Sequence, residues 1–310
     1  MTASLVTLDY PSGPAGAVRA GGFDVPLAAA GEALGVPLPA QVFDVITRWD
    51  ELDAAVHEVA TALTAGRLRS VARPVGAFGA LTPLRYPRKL VCAGANYPRH
   101  LAEMGVSYER KAGERPFFFL KPPSTTLVGP GATSPMPEGC ENLDWEIELA
   151  VVIGRRARHI SAADALDVVA GYAVAVDLSA RDLLMRPDTI FKFDFLAGKA
   201  QDGSCPLGPE LVPARYVPDP QALTMRLSVN GQVKQDATTE DMIFSIAEQI
   251  AGASDYVTLE PGDVILTGTP HGVGFPRGDR LRVGDEVRAE IDGLGALVFT
   301  ITEPAGAVSA

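Results

Sequence analysis

Apolar positions along the chain change their period about a quarter of the way in. Trp49, Leu52, Val56, Val59, Ala60 and Leu63 recur at helical spacing among charged neighbours, which predicts one amphipathic helix in the first 80 residues, after a short strand at Ser4–Leu8. Arg73–Arg88 carries three prolines and no clear period, and reads as a linker. From about Lys89 onward the apolar runs shorten to strand length. Leu149–Ile153, Gly171–Val176, Leu223–Val229, Asp263–Thr267 and Glu286–Ile291 are apolar or alternating, and Asn230–Gly231 and Asp292–Gly293 are two-residue hairpin signals. Two helices are expected among these strands. One starts near Ser161, with Asp164 three residues on, and one near Thr238, with Asp241 in the same relation. The chain therefore reads as a mixed α/β, β-rich protein with a small N-terminal domain at residues 1–80 and a larger domain at 81–310.

Composition narrows the function. A chain of 310 residues, 47% hydrophobic, can bury a substantial core, and 31 glycines with 25 prolines suit short strands and turns. The formal charge of −11 disfavours nucleic acid and anionic membranes, so an anionic substrate must meet a local cluster of cations. Cys92, Cys140 and Cys205 have no paired spacing and read as structural thiols. No run approaches the roughly 20 apolar residues of a membrane span, and no basic start precedes an apolar run, so a cytoplasmic location is expected.

The strongest chemical signal is Asp144-Trp145-Glu146-Ile147-Glu148-Leu149. On a strand, Glu146 and Glu148 share one face while Trp145, Ile147 and Leu149 occupy the other. An isolated Glu-x-Glu is usually a solvated face. A second run, Gly171–Asp177, changes that reading, because Asp177 ends a face made of Gly171, Ala173 and Ala175, which leaves room beside the acid. Three converging, partly buried carboxylates would repel one another unless a cation neutralised them. Hard oxygen ligands favour Mg²⁺ or Mn²⁺, with Ca²⁺ as an alternative.

Taken together, the ordered motifs resemble the fumarylacetoacetate hydrolase superfamily. They are Gly94–Gly105 (GANYPRHLAEMG), the Glu-x-Glu strand, Gly171–Asp182 (GYAVAVDLSARD), Gly198-Lys199 followed by Cys205–Pro209 (CPLGP), and Thr267–Gly274 (TGTPHGVG), spread over roughly residues 89–300. The resemblance implies a fumarylacetoacetate hydrolase-type β-roll, usually a homodimer, with Glu146, Glu148 and Asp177 as metal ligands. It implies His100 as base with Glu103 orienting it, Lys199 as a substrate or enolate contact, and Lys121 as a similar contact. Arg181 is a candidate substrate contact or a partner of Asp182, and Tyr97, Thr269 and His271 are further candidate contacts. Phe117–Phe119, Met185 and Arg186 are candidates for the distal end of the site, with a place in the buried core as the other role of the aromatics. Two departures stand out: Leu184 occupies a place where many members carry a glutamine, and no fourth metal-binding aspartate lies near Asn96.

The expected substrate is a small anionic 2-oxo or 1,3-dicarbonyl acid. The expected reaction is hydrolytic C–C cleavage of an acylpyruvate-like 2,4-dioxo acid through a metal-stabilised enolate, with His100 activating water and Thr269 helping to hold the oxyanion. Decarboxylation, hydration or isomerisation of a 2-oxo acid such as oxaloacetate draws on the same enolate. A non-catalytic binding protein on this fold is the reading from another class, and retention of all three acids and His100 speaks against it.

Overall fold

The computed structural model describes residues 2–306. One large mixed sheet forms its spine. Its order runs from the N-terminal strands Phe23–Pro26, Gly13–Ala20 and Ala3–Tyr10 through Cys205–Pro213, Val169–Val176, Ile147–Ile153 and Val264–Leu266 to Leu90–Gly94 and the edge strand Phe117–Lys121. A five-stranded sheet, built from Gln232–Thr238, Thr224–Val229, Glu286–Ile291, Gly295–Thr302 and Thr133–Pro135, packs against it. The architecture is mixed α/β and β-rich, as the strand-length apolar runs require.

The interface between the sheets is the main apolar core, where Trp145, Ile147, Leu149, Val174 and Val176 meet Leu227, Val287, Leu297 and Phe299. Each such Val, Leu, Ile or Phe side chain contributes about 1.5–3 kcal/mol on burial. A second core lies beneath a helical layer. Trp49–Thr64 buries the predicted stripe of Trp49, Leu52, Val56, Val59, Ala60 and Leu63 against the N-terminal strands and the far side of the large sheet.

The N-terminal strands join the rest directly, since Leu5 on Ala3–Tyr10 pairs antiparallel with Leu211 on Cys205–Pro213. The stretch read as a linker supplies two short strands, Arg73–Pro74 and Gly79–Leu81, which pair with Phe23–Pro26 and Ala3–Tyr10. Runs this short, one ending in proline, show no period in sequence. Near Ser161 only a 3₁₀ turn, Ala165–Val168, forms before the chain enters Val169–Val176. Asp164 bonds the Ser161 hydroxyl at 2.7 Å, a side-chain pairing in place of a full capping box. The second expected helix starts later than predicted. Thr239–Asp241 is a single 3₁₀ turn, and the helix Ile246–Tyr256 begins at Ser245, which forms a true capping box with Glu248. Glutamate is one methylene longer than aspartate and reaches back to the cap amide.

Candidate active site

Two neighbouring strands deliver the acids. Ile147–Ile153 and Val169–Val176 run antiparallel with Glu148 opposite Ala175 and Ala150 opposite Ala173, so small side chains flank the acid face. Beyond the last pair, the Asp177 amide donates to the Glu146 carbonyl at 2.8 Å, which brings Asp177 beside both glutamates. One carboxylate oxygen from each of Glu146, Glu148 and Asp177 lies within 4.8 Å of the other two, and all three residues are buried. Trp145, Ile147 and Leu149 point the other way into the core, as strand alternation demands.

Cations neutralise two of the three acids. Lys199 Nζ donates to Glu146 Oε2 at 2.6 Å and to Asp177 Oδ2 at 2.7 Å. Lys121 Nζ donates to Asp177 Oδ1 at 2.6 Å and to the Leu178 carbonyl at 3.4 Å. Arg181 bridges Glu146 and Asp144, reaching Asp144 Oδ2 from Nε at 2.9 Å. Burial would raise the Glu146 carboxyl, but Lys199 and Arg181 outweigh it and hold it at about 2. Glu148 is treated differently. Among the described residues its carboxylate receives one hydrogen bond, from the Gly268 amide at 2.7 Å, and burial followed by the charges of Asp177 and Glu146 pushes it well above the usual carboxylate range. Gly268 can make that bond because its φ is +90°, and a Cβ there would lie 2.7 Å from that of Asn96.

This donor set fits a divalent ion. Three hard oxygen ligands converge, and one of them is an inadequately compensated buried acid whose repulsion a dication would relieve. Around the cavity four buried carboxylates, Asp144, Glu146, Glu148 and Asp177, face three buried cations, Lys121, Lys199 and Arg181. A bound dication would make that balance net positive, which suits an anionic substrate.

The remaining walls are built locally. Pro98–Glu103 is a short helix with proline in its first turn, and His100 and Glu103 sit three apart on one face, with His100 Nδ1 and Glu103 Oε1 2.9 Å apart. Glu103 also accepts from the Gly272 amide at 2.9 Å, and although burial acts to raise it, His100 and that amide hold its carboxyl below the ordinary value. Its Nδ1 engaged, His100 has Nε2 left for the cavity, which it lines. Asp194 caps the helix Phe195–Lys199 by accepting from the Ala197 amide at 3.0 Å. Gly198 lets that helix press on Leu184, whose Cβ would stand 2.3 Å from any Cβ at 198, and this seats Lys199. The cavity has a volume of about 190 Å³ and is lined by Glu146, Glu148, Asp177, His100, Arg181, Lys199 and Thr269 on the polar side. Leu184, Phe117, Phe119 and Phe195 form an apolar wall.

Some sequence candidates stand elsewhere. Tyr97 does not line the cavity; it is buried with its hydroxyl toward the Met225 sulfur at 3.5 Å, because its backbone precedes the helix that turns His100 inward. Lys121, expected as a substrate contact, lies outside the cavity lining behind Asp177, with its ammonium engaged by Asp177 Oδ1 and the Leu178 carbonyl. Arg181 lines the cavity but pairs with Asp144 and Glu146, while Asp182 accepts from the Glu141 amide at 2.6 Å. His271 sits outside the cavity lining, its ring held below the ordinary value by burial and by Arg99. Phe118 packs against the core, Met185 is exposed, and Arg186 pairs with Asp188 at 2.7 Å.

Sequence reasoning missed three positioning residues. Asp144 accepts from the Gly274 amide at 2.7 Å and holds Arg181. Asn96 donates to the Phe244 and Thr267 carbonyls at 3.1 and 2.9 Å and accepts from the Phe244 amide at 2.8 Å, which fixes the turn bearing Gly268. Gln235 reaches across from the second sheet. Asp144 stood in the quoted motif and Asn96 in another, but nothing near Gln235 in sequence marks it.

On a β-rich fold, then, a buried triad of acids stands beside a histidine–glutamate pair in one cavity. The fumarylacetoacetate (FAA) hydrolase C-terminal family model matches residues 89–302, and the chain belongs to that family. It is 42% identical over 255 residues to a human mitochondrial oxaloacetate tautomerase, covering 82% of this chain and 78% of the relative. Among solved structures, a fumarylpyruvate hydrolase from Pseudomonas aeruginosa in complex with Mn²⁺ and pyruvate is 35% identical, with a TM-score of 0.63 over 74% of this chain and 94% of the other. A maleylpyruvate hydrolase from Sphingobium is 29% identical with a TM-score of 0.72, covering 96% of this chain and 99% of the other. The family, the fold and the enzymatic character expected from sequence hold. No helix among the described residues is long and apolar enough to cross a membrane.

Proposed function

We propose that this enzyme interconverts the enol and keto forms of a small 2-oxo diacid of the oxaloacetate class. The observation that carries the reading is the cavity itself. At about 190 Å³ it is well below the roughly 300–1,000 Å³ of sites that hold larger ligands, and Leu184 fills one wall with an apolar group. Attack by water on a distal carbonyl calls for a polar group to orient that carbonyl, and Leu184 supplies none. Proton transfer next to a 2-oxo group needs only a base and charge stabilisation. The likeness to a tautomerase at 42% identity supports the same choice.

Glu146, Glu148 and Asp177 would hold the divalent ion, with Mg²⁺ or Mn²⁺ favoured by their oxygen donors and Ca²⁺ as the alternative. When bound, that ion supplies positive charge to the oxygens of the 2-oxo acid and so stabilises the enolate. Lys199 donates to Glu146 and Asp177 and so holds both acids in place, and with the divalent ion sharing those acids its ammonium would add positive charge on the cavity side, near the developing oxyanion. His100 moves the proton at the carbon next to the carbonyl through Nε2, and Glu103 holds its Nδ1 and steadies the imidazolium. In the direction of ketonisation, imidazolium at His100 delivers its proton to carbon, the enol hydroxyl gives its proton to water, and water returns one to His100, so the net change is one proton moved from oxygen to carbon. Arg181 spends its charge on Asp144 and Glu146 and so keeps Glu146 ionised and in place. The homodimer and cytoplasmic setting expected from the sequence belong to this proposal.

Decay of the enol absorbance of oxaloacetate, followed with Mn²⁺ or Mg²⁺ and after chelation, tests the reading. A metal-dependent acceleration without carbon dioxide release is the expected result. Gas release would make the enzyme a decarboxylase. Conversion of fumarylpyruvate or acetylpyruvate to two acids, with no effect on oxaloacetate, would replace the reading by hydrolytic C–C cleavage. That second reading is supported by the likeness to two acylpyruvate hydrolases and by a His100–Glu103 pair equally able to activate water.

A further inference from the structure

Gln235 lies on Gln232–Thr238 of the five-stranded sheet, is buried, and does not line the cavity. Its side chain nonetheless ties together two parts of the site. Its Oε1 accepts from the Ile147 amide at 2.9 Å, at the residue between Glu146 and Glu148. Its Nε2 donates to the Pro270 carbonyl at 2.9 Å and to Thr269 Oγ1 at 2.9 Å. The orientation of the amide follows from chemistry: a backbone N–H can face only the oxygen, and a backbone carbonyl only the nitrogen. The second N–H of Nε2 is therefore committed to Thr269, and the Thr269 hydroxyl must act there as an acceptor. Its own proton has to go elsewhere. Among the described residues the hydroxyl donates no hydrogen bond, and Thr269 lines the cavity, as His100 and Lys199 do.

We propose that Gln235 is a positioning residue that commits the Thr269 hydroxyl to donate into the cavity, toward an oxygen of the bound acid. The inference rests on reading this cavity as the substrate site and extends it to a residue on the opposite sheet. Gln235 also takes the place of a strand neighbour for Ile147, where pairing with Val264–Leu266 has already ended at Ala150. One amide thus aligns the acid-bearing strand and the donor with each other.

Calorimetric binding of oxalate, a planar mimic of a 2-oxo enolate, to the Mn²⁺-loaded full chain tests this independently of the reaction catalysed. Thr269→Val should weaken oxalate by about tenfold or more, the effect of one hydrogen bond to a charged group, and leave Mn²⁺ affinity unchanged. Gln235→Glu should weaken it to a similar degree, since a carboxylate cannot donate to Thr269 and would draw the hydroxyl proton to itself. The double variant should be no weaker than about twofold below either single one, because both remove the same donor. Thr269→Ser should bind as the wild type does. If Gln235→Glu fails to fold, Gln235→Met, of similar size and without polar atoms, takes its place in the cycle. Wild-type oxalate affinity in Thr269→Val, or a double variant whose loss is the product of the two single losses, would overturn the proposal. Oxalate that does not bind the wild-type protein would overturn it together with the reading of the site. The expected binding pattern in a protein inert toward oxaloacetate would refute the proposed reaction alone.

Discussion

The helical layer at Trp49–Thr64 packs on the large sheet whose strands carry the acid cluster of Glu146, Glu148 and Asp177, and both bury their inward side chains, yet they are held by opposite means. The helix buries an apolar stripe and leaves its charges in water, as Arg48 and Glu51 show by pairing at 2.7 Å with both side chains about half exposed or more. The cluster buries its charges and balances them with Lys121, Lys199 and Arg181. Burying an apolar group is favourable by itself, whereas a buried charge is tolerated only with its partners in place. The first arrangement stabilises the fold. The second keeps one acid, Glu148, without a directly bonded cation, a gap that a divalent ion would fill.

Substitutions in the two regions should therefore fail in different ways. The largest effect is expected for Glu148→Gln, which keeps an acceptor for the Gly268 amide but loses the charge. Activity and Mn²⁺ binding should disappear together, while the melting temperature in chelator does not fall. A large fall would mean that Glu148 supports the fold and would erase the contrast. His100→Ala should lower turnover by about 10² or more with Mn²⁺ affinity retained, as measured by steady-state kinetics beside calorimetry. In the helical layer, Leu63→Ala should cost about 2–5 kcal/mol in denaturant unfolding and leave kcat per folded molecule unchanged. A change in kcat there would show that the two regions are coupled through the shared sheet. Arg48→Ala, which removes an exposed ion pair, should shift stability by no more than about 1 kcal/mol, a small value against the buried charges that sharpens the comparison.

The same contrast governs what can be read without coordinates. The stripe from Trp49 to Leu63, the strand at Glu286–Ile291 and the alternation around Glu146 and Glu148 are local patterns, and each reappears in the structure. The buried acid triad is legible because two strands with acid at the end of a small-residue face can place their acids together in few ways. Helix starts were less legible, since Asp in place of Glu at the third position looks alike in sequence but falls short in reach.

By itself, then, the sequence determined the strand-rich class, the family motifs and the acids that converge, because these depend on period and residue type within a few positions. Tertiary structure alone decided that Lys121 stands behind Asp177, that Tyr97 turns to Met225, that Arg181 bridges Asp144 and Glu146, and that Gln235 crosses from the other sheet to Ile147 and Thr269. The physical reason is that a buried polar group takes whatever partner the fold brings within hydrogen-bonding reach. For Gln235 those partners lie 88 and 34 positions away along the chain, a separation that no local pattern encodes.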